Sequence, residues 1–554
     1  MGRLTERVIN QVKKTKSHKK KKQTMKKKLF KTRLLSFAAF CGLTLAFASC
    51  ANEDVAQNPN STDNDKNLTT FTAGDPSTRT SMESDGKFFW EAGDKIWVKD
   101  DDGTWQQSSN APTAKTASFK FKVPGKFTQS STYKVYYPGQ NGNRDKVTIP
   151  ANQSQLEPNT TTHFGTSGDC GIANASKQSN GSFAFTLDHK AAYLLLLPRT
   201  SNTILHDCYL TKVEVNSDDD ITSTYTLDPI TSKLTGTGTG KQITVTTKGS
   251  TGSTYQNGFP LTNNATSAAT NGTYVVIKPG THTLKIRYWV KDVATNVEGT
   301  ITKTLSSATY DQNKYYNITA NLNIKDYDGD HYYMWDAQEQ YWKGFEWTKN
   351  LPAGVGQPTL PQGVTGATTS SNYAQSNADL RYYHVKSGSG RFDATQSCAG
   401  LPNANEMSWY CMYGDPRWDK DELWTTMGHL YKGGMWFKKK SVLQAEGHYN
   451  TEFSTDGSTD LRTTYKIYSN SSSSINNSGL PSAADAGNYF YLPALGYYPS
   501  GQLQSVGVDG YYWSSSAGLI YSSSAYSLYF SSSNVVVSSS TGIYNYGFRV
   551  QAFE

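Results

Sequence analysis

Cysteine, histidine and charge are all scarce in this chain. Six of its 554 residues are cysteine, nine are histidine and 18% are charged. Beyond Cys50 only Cys170, Cys208, Cys398 and Cys411 remain, too few to scaffold so long a chain, although an export compartment would permit a bridge. Cys398 and Cys411 are the first candidate disulfide. No histidines are spaced as His-x-Glu-x-x-His or otherwise closely paired, so zinc chemistry has no footing. The serine-rich runs contain no Gly-x-Ser-x-Gly elbow. After residue 50 no apolar run is long enough to span a membrane, and helix signals are nearly absent from 68 to 325. These gaps exclude the common catalytic constellations: no enzymatic activity, metal or cofactor is expected.

The excess of positive charge is also illusory. The chain carries 54 basic and 46 acidic residues, but residues 1–49 hold 14 of the former and only Glu6 of the latter. The remainder has 40 basic against 45 acidic residues, so the overall +8 becomes −5. The basic character belongs to a leader, and no nucleic-acid partner is expected.

That leader is present and informative. Residues 34–50, LLSFAAFCGLTLAFASC, form a short apolar run behind Lys26–Lys28 and Arg33, ending in small residues before a cysteine. This is the layout of a signal peptide, too short for a spanning helix. It resembles a bacterial lipobox, which implies lipidation at Cys50 and tethering outside the cytoplasm; the other reading is an ordinary secretory signal with a chance cysteine. Met25-Lys-Lys-Lys-Leu-Phe reads as the natural start, which leaves residues 1–24 as upstream sequence. Residues 50–67 are a polar, acidic linker with little to bury. Glu53-Asp54 is either a surface-export signal, as in lipoproteins of some Gram-negative bacteria, or a solvated tether.

From 68 the chain turns to short aromatic and β-branched runs between Gly, Asn and Asp turns. Runs at 87–90, 95–99, 117–123, 132–137, 182–187 and 192–197 have the spacing of a β-sandwich. A second set follows at 209–215, 225–227, 242–246, 273–277, 282–290, 297–305 and 315–324. The alternation in HTLKIRYWV (282–290) predicts a strand with one buried face.

Five motifs in these runs, Thr78-Arg-Thr-Ser-Met, Trp90-Glu-Ala-Gly-Asp-Lys-Ile-Trp-Val, Tyr133-Lys-Val-Tyr-Tyr-Pro, Phe185-Thr-Leu-Asp-His-Lys-Ala-Ala-Tyr and Tyr315-Tyr-Asn-Ile-Thr, resemble the fimbrillin-like family of surface pilins. The resemblance implies two transthyretin-like β-sandwich domains, at 68–198 and 199–325, lipoprotein export, and polymerisation by strand exchange. It also implies trimming by an arginine-specific protease, for which Arg79 is the candidate, with 68–73 as the removable strand. An exposed arginine in a polar turn is an accessible cleavage site; a structural arginine at a strand edge is the other reading.

At 325–330, KDYDGD, the character changes. Asp326, Asp328 and Asp330 hint at a calcium loop, but position 12 counted from Asp326 is Ala337 rather than an acid, so an acidic interdomain turn is expected. Eight of the 12 Trp lie beyond 330. Asn403, with Glu406 three residues on, predicts a capping box opening a helix within 401–412. Asp415-Pro416 predicts a second helix over 417–430, with Trp424 and Met427 packing inward and Asp419, Asp421 and Glu422 solvated on its surface. Serine triplets at 514, 522, 531 and 538 separate aromatic and β-branched runs, including 528–530 and 535–537. They predict hairpins with hydroxyl-rich turns rather than disorder.

LPNANEMSWYCM, YFYLPALGYY, GYYWSSS, AYSLYF and GFRV, in that order, resemble the FISUMP-type module, a relative of the formylglycine-generating-enzyme and C-type-lectin-like folds. The resemblance implies a mixed α/β C-type-lectin-like domain at 326–554 whose surface loops bind something. The related enzymes use two cysteines near the chain end. Here no cysteine follows Cys411, which argues against that activity. Trp409, Trp424 and Trp513 are expected in the core. Tyr497, Tyr498, Tyr511 and Tyr512 are the candidate ligand-facing aromatics, suited to stacking on sugars.

The expected protein is a mainly β surface lipoprotein of the cell outer membrane. It is either a fimbrial tip or accessory subunit that joins other fimbrial subunits and adheres to a host or bacterial glycan or protein, or an unpolymerised lipoprotein that captures glycans.

Overall fold

The computed structural model describes residues 67–74, 81–82, 88–327, 331–346, 373–384, 390–499, 501, 503–520 and 522–554. Cys50 and Arg79 lie outside them. The described chain is mainly β. Strands form over Thr132–Tyr137, Gln242–Thr246 and Thr273–Ile277, matching the expected runs residue for residue.

In the first sheet the strands Trp105–Gln107, Trp97–Lys99, Thr132–Tyr137, Gly171–Lys177, Phe183–Phe185, Leu68–Ala73 and Phe119–Pro124 lie side by side in that order. Alternation turns every second side chain inward, so Phe71, Phe121, Val123, Val135 and Tyr137 are fully buried. Trp90 packs edge-on to Phe121 and Tyr137 at 4.9 and 5.4 Å. Four residues on, the buried Asp94 carboxylate accepts from Glu91 N, Tyr137 Oη and Gln140 Nε2. Just past Trp105–Gln107, Ser109 N donates at 2.7 Å to Lys122 O within Phe119–Pro124, which ties the two ends of this strand order together.

A second core lies between a long sheet, with Cys208–Ser217, Gly280–Asp292 and Glu298–Tyr310 at its centre, and a three-stranded sheet of Thr273–Ile277, Ala192–Arg199 and Tyr315–Asn321. Strands on either side of residue 198 pair with each other. Lys146–Ile149 pairs with Ser223–Leu227, and Asn152–Ser154 with Gln242–Thr246. The outer edge of Thr273–Ile277 is closed by side chains. Gln153 bonds both Val276 N (3.0 Å) and Val276 O (2.7 Å), while Gln155 accepts from Tyr274 N (2.7 Å) and donates to Gly272 O (2.9 Å). Two amides thus stand in for a neighbouring strand, satisfying backbone groups that burial would otherwise leave open.

The C-terminal part has a six-stranded sheet of Tyr332–Tyr333, Phe548–Arg549, Gly510–Ala517, Ala525–Phe530, Asn534–Ser538 and Tyr468–Ser471. The helix Ala404–Tyr413 begins as its sequence predicts: Asn403 accepts from Glu406 N, and Glu406 accepts from Asn403 N. Its Met407, Tyr410 and Cys411 pack with Leu528, Phe530, Val535 and Val537. The first serine triplet departs from expectation. Ser514, Ser515 and Ser516 lie inside a strand and are buried, with Ser514 Oγ bonded to Tyr526 O.

The second expected helix is absent. Residues Arg417–Thr426 form a strand paired antiparallel with His429–Lys438. Met427 and Gly428 both take positive φ, 49° and 74°, the two-residue turn that matches the right-handed twist of a hairpin. Gly428 inside the proposed helix was the contrary signal. Asp415 does not cap; it accepts from Arg417 Nε and Tyr489 Oη. Trp424 and Met427 are buried as expected.

Asp419 and Glu422 of this strand are buried, not solvated, while Asp421 stays partly exposed. A register shift between Asp419 and Leu423 bulges the strand and re-aims its side chains. One parallel bridge, Thr300 to Glu422, carries the long sheet into the C-terminal part. Gly299 permits that approach, since a Cβ there would sit 2.3 Å from Asp421 O. Arg287 Nη2 reaches both oxygens of Asp419, at 2.9 and 3.1 Å, and donates to Thr300 Oγ1 at 2.7 Å. Glu422 accepts from Thr300 Oγ1, Thr302 Oγ1 and Thr302 N at 3.0, 2.7 and 3.0 Å. Lys285 Nζ donates to Leu480 O and Pro481 O. Burial, reinforced by the Asp419 charge, pushes the Glu422 carboxyl up to about 7 from 4.5.

Two outcomes follow from this architecture. Asn403→Ala removes the cap and costs about 1 kcal/mol in urea denaturation. Between pH 4.5 and 7 the folded chain keeps a proton on Glu422 that the unfolded chain releases, so stability falls as pH rises through that window and levels off above it. Unfolding midpoints measured across that window should show the slope, and Glu422→Gln should flatten it.

Candidate binding surface

The strands Gly510–Ala517 and Ala525–Phe530 are antiparallel, with Tyr511 opposite Tyr529 and Tyr512 opposite Leu528. One-residue parity decides their fates. Tyr512 points inward, fully buried, and donates to Pro493 O at 2.7 Å. Tyr511 points to the other face and is half-buried, as is Tyr529.

Tyr497 joins this row. Its backbone pairs with Gln504, and its ring lies 4.3 Å from Tyr511 and 5.8 Å from Tyr546. Tyr511 lies in turn 4.9 Å from Tyr529. Four half-buried rings therefore run across the sheet over Phe548, which closes the row beneath Tyr497 and Tyr511. Asp509 stands beside them, its Oδ1 3.4 Å from Tyr529 Oη, and Val508 next to it is 58% exposed. Burial, and after it the Asp509 charge, pushes the Tyr511 hydroxyl up, so the ring stays neutral at physiological pH. The arrangement offers π faces, hydroxyls and one carboxylate, groups suited to recognition.

Two of the four expected ligand-facing tyrosines are thus in the core. Besides Tyr512, Tyr498 is fully buried, stacked on Tyr341 at 4.8 Å and bonded through its backbone to Gly547. Tyr529, Tyr546 and Asp509 escaped the sequence reading. Tyr529 was signalled by the alternation of its strand, which becomes useful only once register is known; Asp509 and Tyr546 lie outside the strands and carried no such signal. Trp409, Trp424 and Trp513 are buried as expected.

Cys398 and Cys411 are separate thiols, which corrects the expected bridge. Cys398 sits with Trp335 and Trp513 and accepts from Asp336 N, whereas Cys411 lies in the helix core and donates to Val535 O. Burial pushes each thiol up to about 12, a range in which neither is a ready nucleophile. Among the described residues no group of His, Cys, Asp and Glu is arranged to hold a metal ion, and no helix is long and apolar enough to cross a membrane.

No protein-family model matches this chain, and no curated protein does. Among solved structures it is similar to a candidate cell adhesion protein from Bacteroides uniformis, at 15% identity over 46% of this chain and 92% of that one, with a TM-score of 0.27. A candidate cell adhesion protein from Bacteroides fragilis gives 11%, 46%, 92% and 0.26 in the same terms. The fimbrial anchor protein Mfa2 from Porphyromonas gingivalis gives 10%, 43%, 82% and 0.20. At these TM-scores the overlap is too loose to assign a role.

The in-and-out parity of the tyrosines has a measurable consequence. Tyr512→Ala should cost about 3–5 kcal/mol in urea unfolding, the loss for a large core aromatic. Tyr511→Ala should cost about 1–2 kcal/mol, in keeping with a half-exposed ring.

Proposed function

We propose that this chain is a surface lipoprotein of fimbrial type, a tip or accessory subunit assembled by strand complementation, whose C-terminal lectin-like module presents a face for adhesion. Its partners are other fimbrial subunits, the outer membrane through lipid on Cys50, and a host or bacterial glycan or protein. Its work is binding, not catalysis.

The observation that supports this reading is the position of Leu68–Ala73. The strand lies inside its sheet, parallel to Phe183–Phe185 and antiparallel to Phe119–Pro124, with Phe71 and Ala73 in the core. Withdrawing it would open two backbone ladders and an apolar slot, the acceptor that strand addition requires. Cleavage after Arg79 would remove the lipid and this strand together. The rival, an unpolymerised glycan-capture lipoprotein, draws support from how firmly the strand is held: Phe71 stacks on Phe183 at 5.0 Å and meets Phe127 edge-on at 5.1 Å.

The N-terminal sequence and lipid state of protein sheared from cell surfaces separate the two. An unlipidated chain starting at Thr80 in high-mass assemblies is the expected result. A lipidated chain starting at Cys50 and retained by cells would remove the case for polymerisation.

A further inference from the structure

We propose that the tyrosine row beside Asp509 receives a cation, the lysine or arginine side chain of a partner protein. The inference rests on the reading of this surface as a binding face and names the chemistry of its partner.

Among the described residues the same assembly is built three times elsewhere and completed from within. Tyr225 donates to Asp220, and Lys278 bonds that carboxylate at 2.9 Å while standing 5.0 Å from the Tyr225 ring. Tyr489 donates to Asp415, which pairs with Arg417 at 2.9 Å, and the guanidinium lies 5.8 Å from the ring. Tyr449 donates to Glu406, which Lys440 approaches at 3.6 Å while lying 4.9 Å from the ring. A looser version has Lys466 over Tyr468 at 5.0 Å and bonded to Asp456 at 2.8 Å. A cation between a carboxylate and an aromatic face is attracted by both.

Tyrosine-bonded carboxylates that lack such a cation are closed in another way. Asp94 takes Glu91 N and Gln140 Nε2. Asp101 takes Thr128 N and Oγ1, and Gln129 N. Asp169 takes His189 Nδ1 at 2.8 Å on one oxygen, and its other oxygen is sealed from solvent by burial, with no hydrogen-bond partner among the described residues.

Asp509 is closed in neither way. Among the described residues its carboxylate has a single long contact, 3.4 Å from Tyr529 Oη, and no lysine or arginine pairs with it or stands over Tyr497, Tyr511, Tyr529 or Tyr546. Three of these tyrosines feel the Asp509 charge without any opposing cation. Carboxylate and ring faces are present and the third member is missing. The members supplied internally are Lys and Arg, and the exposed Val508 gives the aliphatic stem of such a side chain a surface to lie along.

The test uses the full chain and a short oligolysine peptide, with oligoglutamate and a neutral oligosaccharide as comparators, measured by calorimetry at low and physiological salt. Oligolysine should bind the wild type. Asp509→Asn and Tyr511→Ser should each weaken it about threefold to tenfold, while Asp102→Asn, which removes the same charge from an exposed turn of the first sheet, should leave it unchanged. Equal effects of Asp509→Asn and Asp102→Asn would reduce the binding to bulk charge and overturn the inference. Neutral oligosaccharide binding that depends on Tyr497 and Tyr511 but ignores Asp509→Asn would also overturn it, while leaving the surface a binding face. No binding by any probe would overturn both.

Discussion

Glu422 sits where two sheets become one. A single bridge to Thr300 continues the long sheet of the middle sandwich into the C-terminal part, and the carboxylate is held there by two threonines. Beside it Arg287 neutralises Asp419. Removing either member of such a pair leaves an uncompensated buried charge, a cost of about 3–5 kcal/mol. A polar joint of this kind depends on its partners being in place, because a buried carboxylate left without its donors is costly.

The protein meets exposed strand edges with side chains and with closure. Gln153 and Gln155 occupy the backbone groups of one buried edge, and Ser109 ties the ends of the first sheet. Strand addition, where it operates, needs an open edge or a vacated slot. Leu68–Ala73 is distinct in this setting, because it is an interior strand next to an acidic linker.

The recurring tyrosine, carboxylate and cation sets show how this low-charge chain places its ions. Tyr225, Tyr489 and Tyr449 each anchor a carboxylate that a nearby Lys or Arg completes. In each set the cation lies within about 6 Å of a ring that attracts it. Asp509 and its tyrosines follow the same construction without, among the described residues, the cation.

Much of the fold was legible along the chain. Alternation is a local property with a period of two, so strands such as Thr132–Tyr137 and Thr273–Ile277 could be placed from sequence, and the capping box at Asn403 is a contact between residues three apart. The failures were non-local. Residues 417–430 carry capping signals for a helix, but Met427-Gly428 turns them into a hairpin that pairs with Tyr489–Pro493. Asp419 and Glu422 look solvated until the strand meets Arg287 and Thr300, more than a hundred residues away. Tyr511 and Tyr512 are indistinguishable as neighbours. Which of them faces outward depends on register against Tyr529 and on the core that claims Tyr512. Periodicity and caps are written in sequence because they act over a few residues. Partners, burial and the outward face belong to the tertiary structure, because packing between distant strands decides which side of each strand water reaches.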